Sequence, residues 1–228
     1  MITTCIFDAY GTLFDVTSAA RAVANEEKHI TFAKHWVKVA NTWRSKQLQY
    51  TWLRTIMNQY SDFWQVTKDG LDFALEESGI QSSELRERLL ALYWKLSAYP
   101  EVQGLLSNLK SNGYNTGILS NGSPDMLDSA VNSAGLNDVL DAVLSVDNIG
   151  IYKPSKHVYQ MVLDNFKCSA EQILFVSSNS WDVAGSTKFG FQTLWVNRNS
   201  EPPDRLDARP RWTAKNLVSI PTLLKDLA

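Results

Sequence analysis

Ile2-Thr3-Thr4-Cys5-Ile6-Phe7-Asp8-Ala9-Tyr10-Gly11-Thr12-Leu13-Phe14 stands near the start of the chain, and its reading decides the fold. Ile2 to Phe7 is short, apolar and rich in β-formers, and the run stops abruptly at Asp8 and the turn-forming Gly11. An apolar run of this kind suits a parallel strand buried on both faces. Working outward, comparable runs recur at Asn115 to Leu119, Ala142 to Val146, Gln172 to Ser177 and Gln192 to Val196, separated by amphipathic stretches of helical length. That alternation spells repeated βαβ units and an open α/β sheet. Gly113, Gly135 and Gly190 stand where helices should stop ahead of the next strand, and each can supply a left-handed cap.

The first connection breaks this rhythm. About 100 residues separate Asp8 from the second strand, whereas a right-handed crossover needs only a few dozen. Val16 to Lys95 contains almost no proline or glycine and reads as four or so helices, such as Phe32 to Gln59 and Ser83 to Lys95. An all-helical cap domain over residues 16–95 is therefore expected, inserted into a core made of residues 1–15 and 96–228. Trp36, Trp43, Trp52, Trp64 and Trp94 lie in the insertion and are expected to give it an aromatic core of its own. Repeats and low-complexity tracts are absent from the sequence, and Ser200 to Arg211, charged and Pro-containing, is expected to be a surface loop.

Composition narrows the function. With 228 residues, 44% hydrophobic and 20% charged, the chain is that of an ordinary globular protein with a sizeable core, and disorder is excluded. Its 22 basic and 24 acidic residues leave no broad basic face for nucleic acid or an anionic membrane. Cys5 and Cys168 are too few for a disulfide framework, which fits the reducing cytoplasm. Neither an export signal nor a membrane-spanning run is expected. His29, His35 and His157 lack the pairing of a zinc site, and Ser120 and Ser123 sit in no GxSxG elbow.

In an open α/β sheet, ligands gather beyond the carboxyl ends of the strands. There stand Asp8, Tyr10 and Thr12 after the first strand, Ser120-Asn121-Gly122 after the second, Lys153-Pro154 after the third, and Ser177-Ser178-Asn179-Ser180-Trp181-Asp182 after the fourth. One aspartate at a strand tip is as often a turn former, and one lysine is more often a solvated charge. Four polar ends meeting at one edge reduce those readings. A lysine between Asp8 and Asp182 would keep both ionised, where two acids alone would push one pKa upward.

These four segments, with Trp43-Arg44-Ser45-Lys46-Gln47-Leu48 and Tyr50-Thr51-Trp52-Leu53-Arg54, resemble the motifs of the haloacid dehalogenase superfamily, and within it most of all the L-2-haloacid dehalogenases. The resemblance covers nearly the whole chain and implies a Rossmann-like parallel core with a helical cap. Phosphatases of the superfamily carry an aspartate two residues after the nucleophile and an acidic pair in the fourth motif. Here those places hold Tyr10 and, four before Asp182, Ser178. A phenol with a pKa near 10 is a poor acid for a departing alkoxide, whereas halide needs no proton to leave. No metal or other cofactor is expected, since a divalent cation would blunt Asp8 as a nucleophile.

The resemblance implies that Asp8 attacks the α-carbon of an L-2-haloalkanoate, inverting it and leaving an aspartyl ester that water hydrolyses to a D-2-hydroxyalkanoate. Thr12 with Ser177 or Ser178 would position Asp8, Lys153 would hold its charge with Tyr159 nearby, and Asn179 and Asp182 would orient and activate the water. Ser120, with backbone N–H groups beside it and at Ala9, would hold the substrate carboxylate. Arg44 and Asn121 would face the halogen, with Tyr10, Leu48, Phe63 and Trp181 walling the alkyl group. Ser45, where relatives commonly carry glutamine, bears on pocket shape and chain-length preference. A homodimer is expected, as is common in the family. Two other readings are a Mg²⁺-dependent phosphatase or phosphonate hydrolase on the same fold, and a non-catalytic protein that binds small carboxylates.

Overall fold

The computed structural model of the protein describes residues 1–227. The first strand, β1 (Thr4–Phe7), is buried along its whole length. After it come the helices α1 (Ser18–Ala24), α2 (Ile30–Ala33), α3 (Trp36–Ile56), α4 (Phe63–Glu77) and α5 (Ser83–Tyr93), then α6 (Val102–Ser111) and β2 (Asn115–Ser120). The chain continues through α7 (Pro124–Ser133), β3 (Ala142–Ser145), α8 (Lys156–Phe166), β4 (Ile173–Ser177), α9 (Ser180–Phe189), β5 (Gln192–Val196), β6 (Trp212–Ala214) and α10 (Ile220–Asp226).

The six strands form one parallel sheet in the order β3-β2-β1-β4-β5-β6. β1 is central, with Thr4 in register with Asn115 of β2 on one side and Ile173 of β4 on the other. Strand order reverses there, so the crevice beyond the carboxyl ends of β1 and β4 is the natural ligand site of such a sheet. Gly113, Gly135 and Gly190 all take the left-handed conformation expected of them. β6 was not legible: it is a short, partly exposed edge strand reached through the exposed 200–210 loop.

The inserted helices begin where local chemistry allows. Asp62 caps α4 by accepting from the Gln65 N–H at 2.9 Å, and Ser82 caps α5 by accepting from the Leu85 N–H at 3.2 Å. One expectation needs correction: Phe32 to Gln59 is not continuous, because α2 ends at Ala33 and α3 starts at Trp36 after a turn at Lys34-His35. The aromatic core is also smaller than expected. Trp43 is buried, whereas Trp36, Trp52, Trp64 and Trp94 are half-buried, and Trp52 packs edge-on against Trp181 of the sheet body with ring centroids 5.4 Å apart.

The two chain crossings between sheet and inserted helices run side by side, with the Asp15 N–H donating to the Ser97 carbonyl and the Tyr99 N–H to the Leu13 carbonyl, each at 2.9 Å. A second set of contacts closes the far side. There the Tyr152 hydroxyl donates to the Ser61 carbonyl at 2.5 Å, and the Tyr60 hydroxyl to Asp147. Among the described residues no helix is long and apolar enough to cross a membrane.

Candidate active site

Strand ends supply the groups, and burial makes their charges matter. Asp8 follows β1 directly and is 6% exposed. Its Oδ2 accepts from Thr12 Oγ1 and from Asn179 Nδ2, both at 2.9 Å, and its Oδ1 accepts from Lys153 Nζ at 3.1 Å. Lys153 Nζ also donates to Asp182 Oδ2 at 3.0 Å, and the Tyr159 hydroxyl donates to Asp182 Oδ1 at 2.8 Å. An unbroken chain therefore runs Asp8, Lys153, Asp182, Tyr159, with no member more than slightly exposed.

The loop after β4 is bound to the loop after β1. Thr12 Oγ1 accepts from the Ser178 N–H at 2.8 Å while donating to Asp8, and Ser177 Oγ accepts from the Asn179 N–H at 3.1 Å. From α3, Arg44 reaches down so that Nη2 donates to the Tyr10 carbonyl and to Asn179 Oδ1, each at 3.2 Å. The orientation of Asn179 follows: its oxygen faces the guanidinium, so its NH₂ faces Asp8.

Burial and neighbours set the protonation states. Burial alone would lower the Lys153 pKa, but attraction to Asp182 and then Asp8 outweighs it, and the ammonium is held above its ordinary range. For Asp182, burial is the largest influence and Lys153 opposes it, leaving the pKa raised from 3.8 to about 6. The expectation that the lysine relieves both acids thus holds only in part: full desolvation of Asp182 outweighs one ammonium. The Tyr159 phenol is pushed well up by burial and by Asp182, which keeps it a hydrogen-bond donor. Tyr10 is raised well up too, chiefly by burial.

The remaining expected residues divide into two sets. Ser120 is buried and its Oγ accepts from the Gly122 N–H at 3.0 Å, while Asn121 Oδ1 accepts from the Lys153 N–H at 3.0 Å, tying β2 to the lysine loop. The Ala9 carbonyl folds the β1 loop by accepting from Leu13 and Phe14. Tyr10 packs against Phe63 and Tyr93, with centroids 5.5 and 5.9 Å away, and its buried hydroxyl has no hydrogen-bond partner among the described residues. Leu48 and Trp181, with Arg44, Ser178 and Asn179, line a cavity of about 480 Å³, whereas Asp8, Tyr10, Phe63, Ser120 and Asn121 are not part of its lining. Ser45 is exposed on α3.

The sequence reading assigned no role to four neighbours of these groups, although one of them, Gln47, lies within the quoted Trp43 to Leu48 segment. Arg198 donates to the Thr12 carbonyl at 3.0 Å and pairs with Glu101 at 2.8 Å, and Gln47, Thr67 and Tyr93 stand behind Arg44. They come from separate elements and share no spacing that could mark them.

The donor set does not fit a divalent cation. Asp8 and Asp182 already share the Lys153 ammonium, Ser178 adds no carboxylate beside them, and among the described residues no group of three or more His, Cys, Asp or Glu is arranged to hold a metal.

A parallel sheet with a buried carboxylate at the end of its central strand, under inserted helices, defines a capped Rossmann-like α/β fold. The family model of haloacid dehalogenase-like hydrolases matches residues 2–190, and the chain belongs to that family. It is 42% identical over 224 residues to (S)-2-haloacid dehalogenase 1 of Pseudomonas sp. (strain CBS-3), covering 98% of this chain and 96% of that one. To (S)-2-haloacid dehalogenase 4A of Burkholderia cepacia it is 44% identical over 201 residues, 88% of this chain and 85% of the other. Among solved structures it resembles L-2-haloacid dehalogenase from Xanthobacter autotrophicus with chloropropionic acid covalently bound, with a TM-score of 0.90, 33% identity and full coverage of both chains.

Proposed function

We propose that the protein hydrolyses L-2-haloalkanoic acids to D-2-hydroxyalkanoic acids and halide, without a metal. One observation carries the reading: the Asp8 carboxylate is oriented by Thr12 and Asn179 and balanced by a buried ammonium. Such a carboxylate is pre-aimed yet not sequestered, as a nucleophile for saturated carbon requires. Likeness to (S)-2-haloacid dehalogenases over nearly the whole chain supports the substrate class.

In the first step an Asp8 oxygen forms a bond to the α-carbon opposite the halogen. The carbon–halogen bond breaks, halide leaves with the electron pair, and the centre inverts. Arg44, which lines the pocket from the cap, stabilises the leaving anion, with Asn121 assigned the same role. Ser120 and the adjoining backbone hold the substrate carboxylate, with Tyr10, Leu48, Phe63 and Trp181 around the alkyl group.

In the second step water attacks the Asp8 carboxyl carbon and its proton passes to Asp182, whose pKa of about 6 suits a base at neutral pH. The bond between the Asp8 carboxyl carbon and the ester's alkyl oxygen breaks, that oxygen takes the proton held by Asp182 and leaves as the hydroxy acid, and Asp8 gives up the remaining water proton to solvent and returns to its pairing with Lys153. Tyr159, Ser177 and Ser178 keep the base and the loop in place. The cap, taken as residues 16–95, covers this chemistry, and the paired crossings at Asp15/Ser97 and Leu13/Tyr99 support bounds near there. We also infer a homodimer, supported by apolar side chains exposed at the end of α3, Leu53, Ile56 and Met57, and a cytoplasmic setting, supported by two free thiols.

Halide release from the two enantiomers of 2-chloropropionate, with and without chelator, tests the reading. Chelator-resistant release from the L form alone is expected. Release of phosphate from phosphomonoesters that chelator abolishes, with no halide release, would refute it.

A further inference from the structure

Behind Arg44 lies a buried polar chain for which the reaction above has no use. Gln47, one turn further along α3, is 1% exposed and shares a buried stripe with Val39, Ala40, Trp43 and Thr51. Its Oε1 accepts from Arg44 Nη1 at 2.8 Å and its Nε2 donates to Thr67 Oγ1 of α4 at 2.7 Å, while the Tyr93 hydroxyl of α5 can accept from Nε2 at 3.1 Å or donate to Oε1 at 3.3 Å. These partners fix the amide's orientation. The guanidinium can only donate, and Thr67 Oγ1 gives its own hydrogen to the Phe63 carbonyl at 2.7 Å, which leaves it free to accept.

A leucine would fill such a helix stripe without the desolvation that a buried amide costs. What the amide adds is one oxygen aimed at the guanidinium. On its other edge, Arg44 is drawn by the Tyr10 carbonyl and Asn179 Oδ1 through longer bonds of 3.2 Å. An amide also differs from a carboxylate in one respect that matters here: it orients the guanidinium without cancelling its charge.

We propose that Gln47 is a positioning residue for leaving-group departure: it holds the Arg44 guanidinium in place with its full charge available to halide, and Thr67 and Tyr93 hold Gln47. The inference rests on the dehalogenase reading. Gln47 touches no reacting atom, so its influence runs wholly through Arg44 and falls on the first step alone.

Gln47→Leu and the near-isosteric Thr67→Val test it by rapid quench, with L-2-chloropropionate and L-2-bromopropionate compared. Losing a hydrogen bond to a charged group corresponds to about 10- to 100-fold in rate. Ester formation from the chloride should fall by that much in Gln47→Leu. It should fall less from the bromide, a better leaving group, and ester hydrolysis should stay unchanged. Thr67→Val should show the same pattern more weakly, and it decides the matter if Gln47→Leu does not fold. Equal losses for both halides, slowed ester hydrolysis, or unchanged rates would overturn the proposal. Wild-type protein that releases no halide from either substrate would overturn the dehalogenase reading and this inference with it; a wild type that turns over beside variants with an unaltered chloride-to-bromide ratio would overturn this inference alone.

Discussion

Asp182→Asn separates the two chemical steps. The substitution is isosteric and the site can accept it: the amide oxygen can take the place that accepts from Lys153 at 3.0 Å, and the NH₂ can face the Tyr159 hydroxyl at 2.8 Å, which turns its hydrogen to the Asp182 carbonyl 3.2 Å away. Asp8 keeps Thr12, Asn179 and Lys153, so ester formation should persist. Ester hydrolysis loses the group that takes the water proton and should slow by about 10²- to 10⁴-fold. A single-turnover experiment should therefore show one halide released per chain and then a stall, with the substrate's alkyl group covalently attached to a peptide containing Asp8. The pH profile should change as well. With a pKa of about 6, wild-type Asp182 is ionised in more than about nine-tenths of molecules at pH 7.5 and in about one-tenth at pH 5, so ester hydrolysis should fall roughly tenfold between them. The variant should lack that acid limb. Steady-state halide release within a few-fold of wild type, or a missing burst, would refute the assignment of Asp182 as base.

The same group should leave a mark on stability. Because its folded pKa is raised from 3.8 to about 6, the contribution of Asp182 is fully present below 3.8 and is lost as pH rises through about 6, on the order of 3 kcal/mol in all. Urea unfolding of wild type relative to Asp182→Asn should lose about 2 kcal/mol between pH 4.5 and 7; a constant or growing advantage would contradict the raised pKa. Gly185 on α9 tests the packing behind the site. A Cβ there would lie 2.6 Å from both Pro154 Cβ and the Tyr159 hydroxyl, so Gly185→Ala should cost about 1–3 kcal/mol, roughly 2–12 °C in Tm, and slow turnover by displacing Tyr159. An unchanged melting curve would mean that α8 and α9 separate more easily than their packing indicates.

The buried charges explain why these groups come as a set. Three ionised side chains in so dry a place would be costly singly, and removing one partner of a buried pair typically costs about 3–5 kcal/mol. Lys153 without Asp8 and Asp182 would tend to lose its proton, since burial alone lowers its pKa. Their mutual attraction lets the buried site hold these charges together. In the proposed reaction, that low-dielectric setting would strengthen the action of the Arg44 charge on a departing anion.

Much of this was legible in the chain because it depends on local rules. Apolar runs ending in polar residues marked β1, β2, β4 and β5, since strands buried on both faces leave that signature, and the spacing after Asp8 revealed the inserted helices. Strand-end placement then nominated Asp8, Lys153, Asn179 and Asp182, because a parallel sheet gathers those ends at one edge whatever the helices do. β6 and the break before Trp36 were not legible, being short and set by edge pairing and packing.

Sequence determined which groups gather at the sheet edge; tertiary structure decided their charges and aim. No spacing states that Asp182 is fully buried, and so none foretells that its pKa stays high beside a lysine. Nor does any motif join Gln47, Thr67 and Tyr93, which lie on three helices and meet only when those helices pack. Desolvation and hydrogen-bond direction depend on everything that surrounds a group, and only the folded chain supplies that surrounding.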